Sequence, residues 1–245
     1  MKVIFLFSKS ITFNTFLQSQ AKYLIKKGYK VEVACSDIEN LNFRRKLSYK
    51  INFPNRIIEL FNIIKYIEIF MQIKSLVKDN PQAIFYLHTP LASHLFRFFT
   101  FLYRLKIIYF VHGFRFTLKT NFLKSFFFKT IEKFLSLKTN VFITINNEDF
   151  KYAKFNLLGT AKCYKIKGIG LNLSGNYLKK KLKRKKKINK ILVIAAYKKE
   201  KGYLDIIKVA EILKRQKIKI ECYGYGNNSK YRSLKIKKKL NNIYF

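Results

Sequence analysis

The stretch IIYFVHGFRF, residues 107–116, decides the fold class. Its run of β-branched and aromatic residues stops at His112 and Gly113, which predicts a buried strand that delivers a polar side chain to the turn at its carboxyl end. The earlier stretch IFYLHTPLASHLF repeats the pattern, with a strand, then His88, then a helix after Pro90. Ligands of open α/β sheets bind at this edge, so we expect His88 and His112 to lie close together at a ligand site.

The same alternation of strand and helix patterns extends through the first two thirds of the chain. Because consecutive βαβ crossovers are right-handed, the pattern predicts a parallel sheet with helices packed on it. The first turn, residues 8–14, lacks the GxGxxG fingerprint of a dinucleotide site. Strands are predicted at 3–7, 29–34, 83–87, 141–145 and 163–167, helices at 13–25, 57–78, 91–102 and 121–137, and irregular structure at 41–54.

For two of these helices, the sequence pattern predicts whether the charged side chains are exposed or buried. On the helix after Pro90 we expect Arg97 and Arg104 to reach solvent. In the helix at 121–137, a narrow polar face contains Glu132 and most of the remainder is Phe and Leu. An ordinary buried helix explains that pattern, and the alternative is a helix that lies on an anionic bilayer with its lysines extended to the phosphate headgroups.

The whole chain of 245 residues is 49% hydrophobic and carries a net charge of +38. Heavy use of Lys, Asn, Ile, Phe and Tyr, as expected for A/T-rich codons, is one explanation for most of this charge. What remains favours an anionic partner, either nucleic acid or a membrane surface. Three cysteines without ligand spacing predict a reducing compartment, with neither a disulfide framework nor a zinc site. Without a signal peptide or an uncharged run long enough to span a bilayer, the sequence predicts a cytoplasmic protein that is at most peripheral to a membrane.

A nearly continuous basic run, NYLKKKLKRKKKINK at 176–190, separates the first pattern from a second one. Such runs are typical of solvated linkers. After it come strands at 191–195 and 218–223, helices ending at Leu213 and spanning 229–240, and the start of a third strand at 242–245. The fold class is therefore α/β, and three segments are predicted: a first domain at 1–172, a basic linker at 173–190 and a second, incomplete domain at 191–245.

Five motifs resemble those of family 4 glycosyltransferases of the GT-B fold, in the same order and approximate spacing. They are HTP at 88–90, HGFRF at 112–116, IEK at 131–133, TINNEDF at 144–150 and GIGLN at 168–172. The chain is most similar to the enzymes of bacterial capsular and exopolysaccharide synthesis. The resemblance implies two Rossmann-like domains, a complete amino-terminal one that binds the acceptor and an incomplete one that binds the nucleotide sugar.

The resemblance also implies the reaction. A sugar would move from a nucleotide-sugar donor to a lipid-linked saccharide acceptor, with retention of configuration and without a required metal or other cofactor. Such acceptors reside at the inner face of the cell membrane, so the implied location is cytoplasmic and peripheral. The basic, aromatic composition fits attraction to an anionic membrane surface, and no specific nucleic acid is expected as a partner.

Matching the motifs residue by residue gives candidate catalytic and donor-binding residues. His112 would contact the donor sugar or the reacting centre, and Gly113 would keep that approach open. Lys201 stands where the family has a lysine that contacts the diphosphate, whose negative charge grows as the glycosyl bond breaks. Gly224 and Gly226 would admit the nucleotide close to the backbone.

Further substrate contacts are assigned by the same match to His88, Arg115, Glu148, Gly168 and Gly170. The plainer alternatives stay open: either histidine can be a hydrogen-bonded residue at a strand end, and Glu148 with its neighbour Asp149 can simply begin a helix.

The chain also departs from the family pattern. Ala196 stands where an arginine is frequent, Asn172 where aspartate is common, and Arg115 where the capsular enzymes have histidine. The family's ExxxxxxxE segment would lie beyond Phe245, so we expect a truncated donor domain that is unstable alone and binds nucleotide sugar weakly or not at all. The competing hypotheses are a non-catalytic remnant whose basic surface binds anionic membrane, and a nucleic-acid binder that uses the lysine run at 179–187.

Overall fold

The computed structural model describes residues 1–54, 62–116, 121–170 and 189–245. The chain divides into two compact units, residues 1–173 and 174–245. Most of the expected basic linker, Asn172 and the beginning of the helix expected at 57–78 lie outside the described residues. The domain boundary at 172 and the role of 173–190 as a linker stay predictions.

The first unit is built on a parallel sheet of seven strands. The strands are β1 (Lys2–Leu6), β2 (Lys30–Cys35), β3 (Ser48–Lys50), β4 (Ile84–Leu87), β5 (Lys106–Val111), β6 (Val141–Thr144) and β7 (Lys162–Lys165). Their spatial order is β3-β2-β1-β4-β5-β6-β7, and every neighbouring pair is parallel. This confirms the predicted α/β fold class. The order reverses beside β1, so the carboxyl ends of β1 and β4 flank the switch point where open α/β sheets bind ligands.

Helices cover both faces of this sheet. They are α1 (Ser10–Thr12), a π-helical turn (Phe13–Leu17), α2 (Gln18–Lys26), α3 (Ile63–Asp79), α4 (Pro90–Phe99), α5 (Phe122–Leu135) and α6 (Asn147–Phe155). Ile4 and Leu6 pack into the larger core together with residues of α3 and α4. Their neighbour Phe5 lies in the smaller core with Phe13 and Leu17. Burial on both faces explains why the strands are almost continuously apolar.

One strand was missed by the sequence pattern. Residues 41–54 were expected to be irregular, but β3 pairs with β2 through the register Val33 to Ser48, Ala34 to Tyr49 and Cys35 to Lys50. Its three residues, SYK, are too few and too polar to show the alternation of a strand. This edge strand is defined by backbone pairing, which a hydrophobicity pattern does not report.

The expectation that Arg97 reaches solvent is wrong. Its side chain is completely buried, and one guanidinium nitrogen lies 2.8 Å from Oε2 of Glu132, which is also buried. The guanidinium also lies 4.5 Å from the ring centre of Tyr109. His94 approaches the other carboxylate oxygen of Glu132 at 2.6 Å. α4 and α5 are therefore joined by a buried ion cluster.

The interpretation of the helix at 121–137 as an ordinary buried helix is also wrong. Most of the Phe and Leu side chains of α5 are exposed, and its buried positions are Glu132 and Leu135. Because Glu132 turns inward to reach Arg97, the apolar side of the helix faces outward. No helix within the described ranges is long and apolar enough to cross a bilayer.

In the described part of the second unit, residues 189–245, a parallel sheet of three strands is accompanied by two α-helices. Its elements are β8 (Lys190–Ile194), α7 (Tyr203–Leu213), β9 (Lys219–Tyr223), α8 (Ser229–Lys237) and β10 (Ile243–Tyr244), with strand order β10-β9-β8. The third strand predicted at the end of the chain is present as β10, which pairs with β9. The core of this unit is small and forms around Tyr203, Ile207, Ile220 and Tyr231.

Candidate active site

His88 follows the last residue of β4 and is completely buried. Its backbone N–H donates to the carbonyl of Leu6 at 2.7 Å, which continues the pairing of β4 with β1. Its ring stacks on Phe5 at 5.6 Å and is flanked by Tyr86 and Phe110 at 4.3 and 5.4 Å between ring centres. The imidazole is thus held at the switch point by three aromatic side chains.

His112 lies directly beside it, at the carboxyl end of β5. Nε2 of His112 and Nδ1 of His88 are 3.2 Å apart. Burial, together with the neighbouring His112, lowers the pKa of His88 well below its usual value, and burial lowers the pKa of His112 as well. Both rings are therefore neutral near pH 7. The distance between them confirms the expectation from the sequence that these two residues lie close together.

The neutral pair has two possible hydrogen-bond directions, and burial distinguishes them. Nε2 of His88 is buried without a described partner. If His112 donated, this Nε2 would carry an orphaned N–H among aromatic rings, whereas if His88 donates from Nδ1, Nε2 has only an unused lone pair. Orphaned buried donors are the rarer and more costly case. The geometry therefore favours His88 as donor, which leaves His112 with an N–H at Nδ1 to offer a ligand.

Thr89, the middle residue of the HTP motif, makes a strained turn beside the pair. Its φ is 61° and its ψ is 131°, in a region that β-branched residues rarely adopt. Its hydroxyl oxygen accepts from the backbone N–H of Ser8 at 3.1 Å and lies 2.9 Å from the Ser8 hydroxyl. The ends of β1 and β4 are thereby tied together, and strain of this kind is characteristic of functional sites.

The loop after His112 is anchored by Asp149. Gly113 has a φ of 134°, in the region that favours glycine, and its Cβ position is open. The next N–H, from Phe114, donates to Oδ1 of Asp149 at 3.4 Å, and Asn146 caps α6 by accepting from the N–H of Asp149 at 2.8 Å. Burial raises the pKa of Asp149, although two donors favour its ionised form: the side-chain amide of Asn146, which donates to Oδ2 at 2.6 Å, and the N–H of Phe114. Asp149 therefore fixes the loop, while Glu148 is exposed in the first turn of α6.

The other predicted substrate contacts of the first unit lie at the same edge of the sheet. Arg115 is exposed on the loop after β5, with its guanidinium 5.6 Å from the ring centre of Phe128. Gly168 and Gly170 follow β7 with φ values of 138° and 78°, and a Cβ built on either meets no described atom within 4 Å beyond its own chain neighbours. Their backbone is accessible to a ligand, and their substrate roles stay predictions.

A cavity of about 310 Å³ lies beyond the ends of β2 and β3. Its lining includes Lys50, Asn52 and Glu68, so it presents a cation, an amide and a carboxylate. Nearby, Asp37 accepts from the backbone N–H and the hydroxyl of Ser10, both at 2.7 Å. The sequence pattern did not bring these groups together, because they come from separate segments of the chain.

The second unit holds the remaining predicted residues at the carboxyl edge of its own sheet. Lys201 is exposed in the 3-10 turn Lys199–Lys201, and Gly202 follows it as the N-cap of α7. Gly224 and Gly226 follow β9. A Cβ on Gly224 would lie 1.9 Å from the carbonyl oxygen of Ala195, so the packing of two loops requires glycine there. Gly226 has a φ of 102°. The proposed nucleotide contacts of these residues stay predictions.

Sequence comparison identifies relatives of this chain. Residues 2–146 match the family described as "Glycosyl transferase 4-like". EpsD of Bacillus subtilis (strain 168), a protein named as a glycosyltransferase, is 28% identical over 177 residues. That alignment covers 70% of this chain and 44% of EpsD, so the chain spans less than half of the curated relative it matches.

Solved structures share the fold. Sucrose-phosphate synthase from Thermosynechococcus elongatus has a TM-score of 0.70 at 8% identity, covering 100% of this chain and 70% of that one. A glycosyltransferase from Rickettsia africae has a TM-score of 0.61 at 16% identity, covering 99% and 67%. HepE from Anabaena, solved in complex with UDP, has a TM-score of 0.61 at 14% identity, covering 100% and 68%.

Proposed function

The chain belongs to the glycosyl transferase 4-like family, and from that premise we propose that it transfers a sugar from a nucleotide-sugar donor to a saccharide acceptor with retention of configuration. The observation that carries the proposal is the neutral pair His88–His112 at the switch point of the large sheet. In this proposal the N–H of His112 contacts the donor sugar or the reacting centre, the role that the family resemblance gives to this residue.

Donor binding is assigned to the second unit. Lys201 and the first N–H groups of α7 would face the diphosphate, since a cation and a helix amino terminus both stabilise negative charge. Gly224 and Gly226 would leave the backbone accessible to the nucleotide. Because these groups supply the positive charge, no metal ion or other cofactor is required in this proposal. The binding of UDP by HepE, which shares the fold, supports a nucleotide sugar as donor.

Acceptor binding is assigned to the first unit. In this proposal Arg115 and Glu148 contact the substrates, the loop at Gly168 and Gly170 lets them approach the backbone, and the cavity beside Lys50 receives acceptor hydroxyl groups. The acceptor would be a lipid-linked saccharide in surface polysaccharide synthesis, of capsular or exopolysaccharide type. The enzyme would then work in the cytoplasm, peripherally on the inner face of the cell membrane. The net charge of +38 supports that location, because the cytoplasmic leaflet is anionic.

The test is a transfer assay with a panel of nucleotide sugars and a lipid-linked saccharide, with products identified by mass spectrometry. Formation of product by the wild type would support the proposal, and His112→Asn should then lower the rate about 100-fold, as for loss of one stabilising donor. Lys22→Gln, on the exposed side of α2, is the matched control and should keep the wild-type rate. If no transfer and no saturable binding of any nucleotide sugar is observed, a non-catalytic protein that binds an anionic membrane would be favoured instead.

A further inference from the structure

The outward side of α5 forms an exposed apolar surface beside free cations. Phe122, Leu123, Phe126 and Phe127 are between 59% and 79% exposed. We propose that this surface, named here the basic-aromatic face, docks on an anionic lipid bilayer. The docking does not depend on the transfer reaction.

The basic-aromatic face is continuous along the helix. Residues four apart lie on one side of a helix, so Phe122 aligns with Phe126 and Leu123 with Phe127. The rings of Phe122 and Phe126 stack at 6.5 Å. Further along, Phe134 stacks on Phe101 at 4.6 Å, and the next residue, Leu102, is 93% exposed. The apolar strip therefore extends from α5 to the loop after α4.

The charge of this region makes an anionic partner complementary. Between Asp79 and Glu148 the only acidic residue of the sequence is Glu132. Glu132 is buried and paired with Arg97 and His94, so it does not offset the surface charge. Lys124, Lys133 and Arg104 are exposed. None of the three forms a salt bridge with a described residue.

These features fit a lipid surface better than another macromolecule. The 14 residues of α5 are about 21 Å long, which suits a helix lying flat in the headgroup region rather than spanning the bilayer. Phe and Leu side chains would enter the boundary of the acyl chains, while the lysines extend to phosphate. The exposed leucines add aliphatic area that a nucleic acid, which binds by stacking on aromatic rings, does not use.

Vesicle flotation of the whole chain tests this inference, with phosphatidylcholine vesicles and vesicles containing 30% phosphatidylglycerol. Wild type should bind only the anionic vesicles, more weakly as salt rises. Lys124→Gln/Lys133→Gln should lower the partition coefficient about 25-fold, at about fivefold for each lysine. Phe122→Ser/Phe126→Ser should lower it at least tenfold.

The matched controls lie on α2, which also exposes apolar and basic side chains. Tyr23→Ser/Ile25→Ser and Lys22→Gln/Lys26→Gln remove comparable apolar area and equal charge there, and should keep more than half of the wild-type partitioning. All substitutions are at exposed positions, and circular dichroism spectra should match wild type.

Three results would overturn the inference: equal loss in the α2 and α5 variants, equal binding to neutral vesicles, or self-association through α5 that light scattering detects in place of vesicle binding. Preferential binding of single-stranded RNA through α5 would overturn it as well. A protein that transfers no sugar but binds vesicles through α5 would refute the proposed function and leave this surface established. A protein that transfers sugar but does not bind vesicles through α5 would support the proposed transfer reaction and refute this docking surface.

Discussion

Removing Arg97 should destabilise the first unit more than any substitution of an exposed residue, because it leaves the buried carboxylate of Glu132 without its cationic partner. Burial alone would raise the pKa of Glu132, but Arg97 and His94 bring it down from its usual 4.5 to about 2. For a buried group, this difference corresponds to about 3 kcal/mol of stability at neutral pH. Breaking a buried pair by deleting one partner costs about 3–5 kcal/mol. We therefore expect Arg97→Met to lose about 3–5 kcal/mol of unfolding free energy.

A double-mutant cycle separates the ion pair from simple packing. Arg97→Met/Glu132→Leu removes both charges, so the double variant should be more stable than the sum of the single losses predicts, by at least about 2 kcal/mol. Urea denaturation followed by circular dichroism measures the free energies. Hydrogen exchange of the amides of β4, β5 and β6 reports the first unit specifically.

The pH dependence supplies a second readout of the same cluster. Glu132 has a lowered pKa in the folded protein, so its stabilisation is present above about pH 4.5 and is lost as pH falls towards 2. In Arg97→Met this loss should be smaller. A destabilisation below about 1 kcal/mol, or single losses that simply add, would refute the assignment of a buried ion pair.

Three further outcomes are expected. Nitrogen-15 NMR of the imidazoles should find Nδ1 protonated in both His88 and His112 at pH 7.5, and a proton on Nε2 of His112 would contradict the hydrogen-bond direction. Because the pKa of His88 is lowered in the folded protein, its contribution to stability should be present above about pH 6.5 and lost as pH falls. Gly224→Ala should destabilise the second unit by about 1–3 kcal/mol or more, because its Cβ would lie 1.9 Å from the carbonyl oxygen of Ala195. Amide hydrogen exchange should accelerate in β8 and β9 but not in β1, and unchanged protection of the β8 amides would contradict this prediction.

Much of the candidate site was accessible from the sequence, because a parallel sheet collects the carboxyl ends of its strands at one edge. An apolar run that ends at a polar residue was enough to bring His88 and His112 together. The supporting groups were not accessible. Ser8, which holds the strained turn at Thr89, and Asp149, which anchors the loop at Phe114, act through contacts between distant segments.

Two of the errors in the first unit, those at Arg97 and at α5, share one physical cause. Hydrophobic periodicity reports which side of a helix is apolar, but α5 is apolar over most of its circumference, so the pattern does not say which side faces the core. The orientation is set by Arg97 and Glu132, a pair 35 residues apart in sequence. Their ion pair offsets the desolvation penalty of burying both charges.

The sequence by itself determined the alternation of strands and helices, the parallel sheet, the edge that carries the histidines and the family of the chain, since these depend on local periodicity and motif spacing. The tertiary structure alone decided the hydrogen-bond direction within the histidine pair, the burial of Arg97 and the outward turn of the phenylalanines of α5. These features depend on the desolvation of particular atoms by residues far away in the chain, which no local pattern encodes.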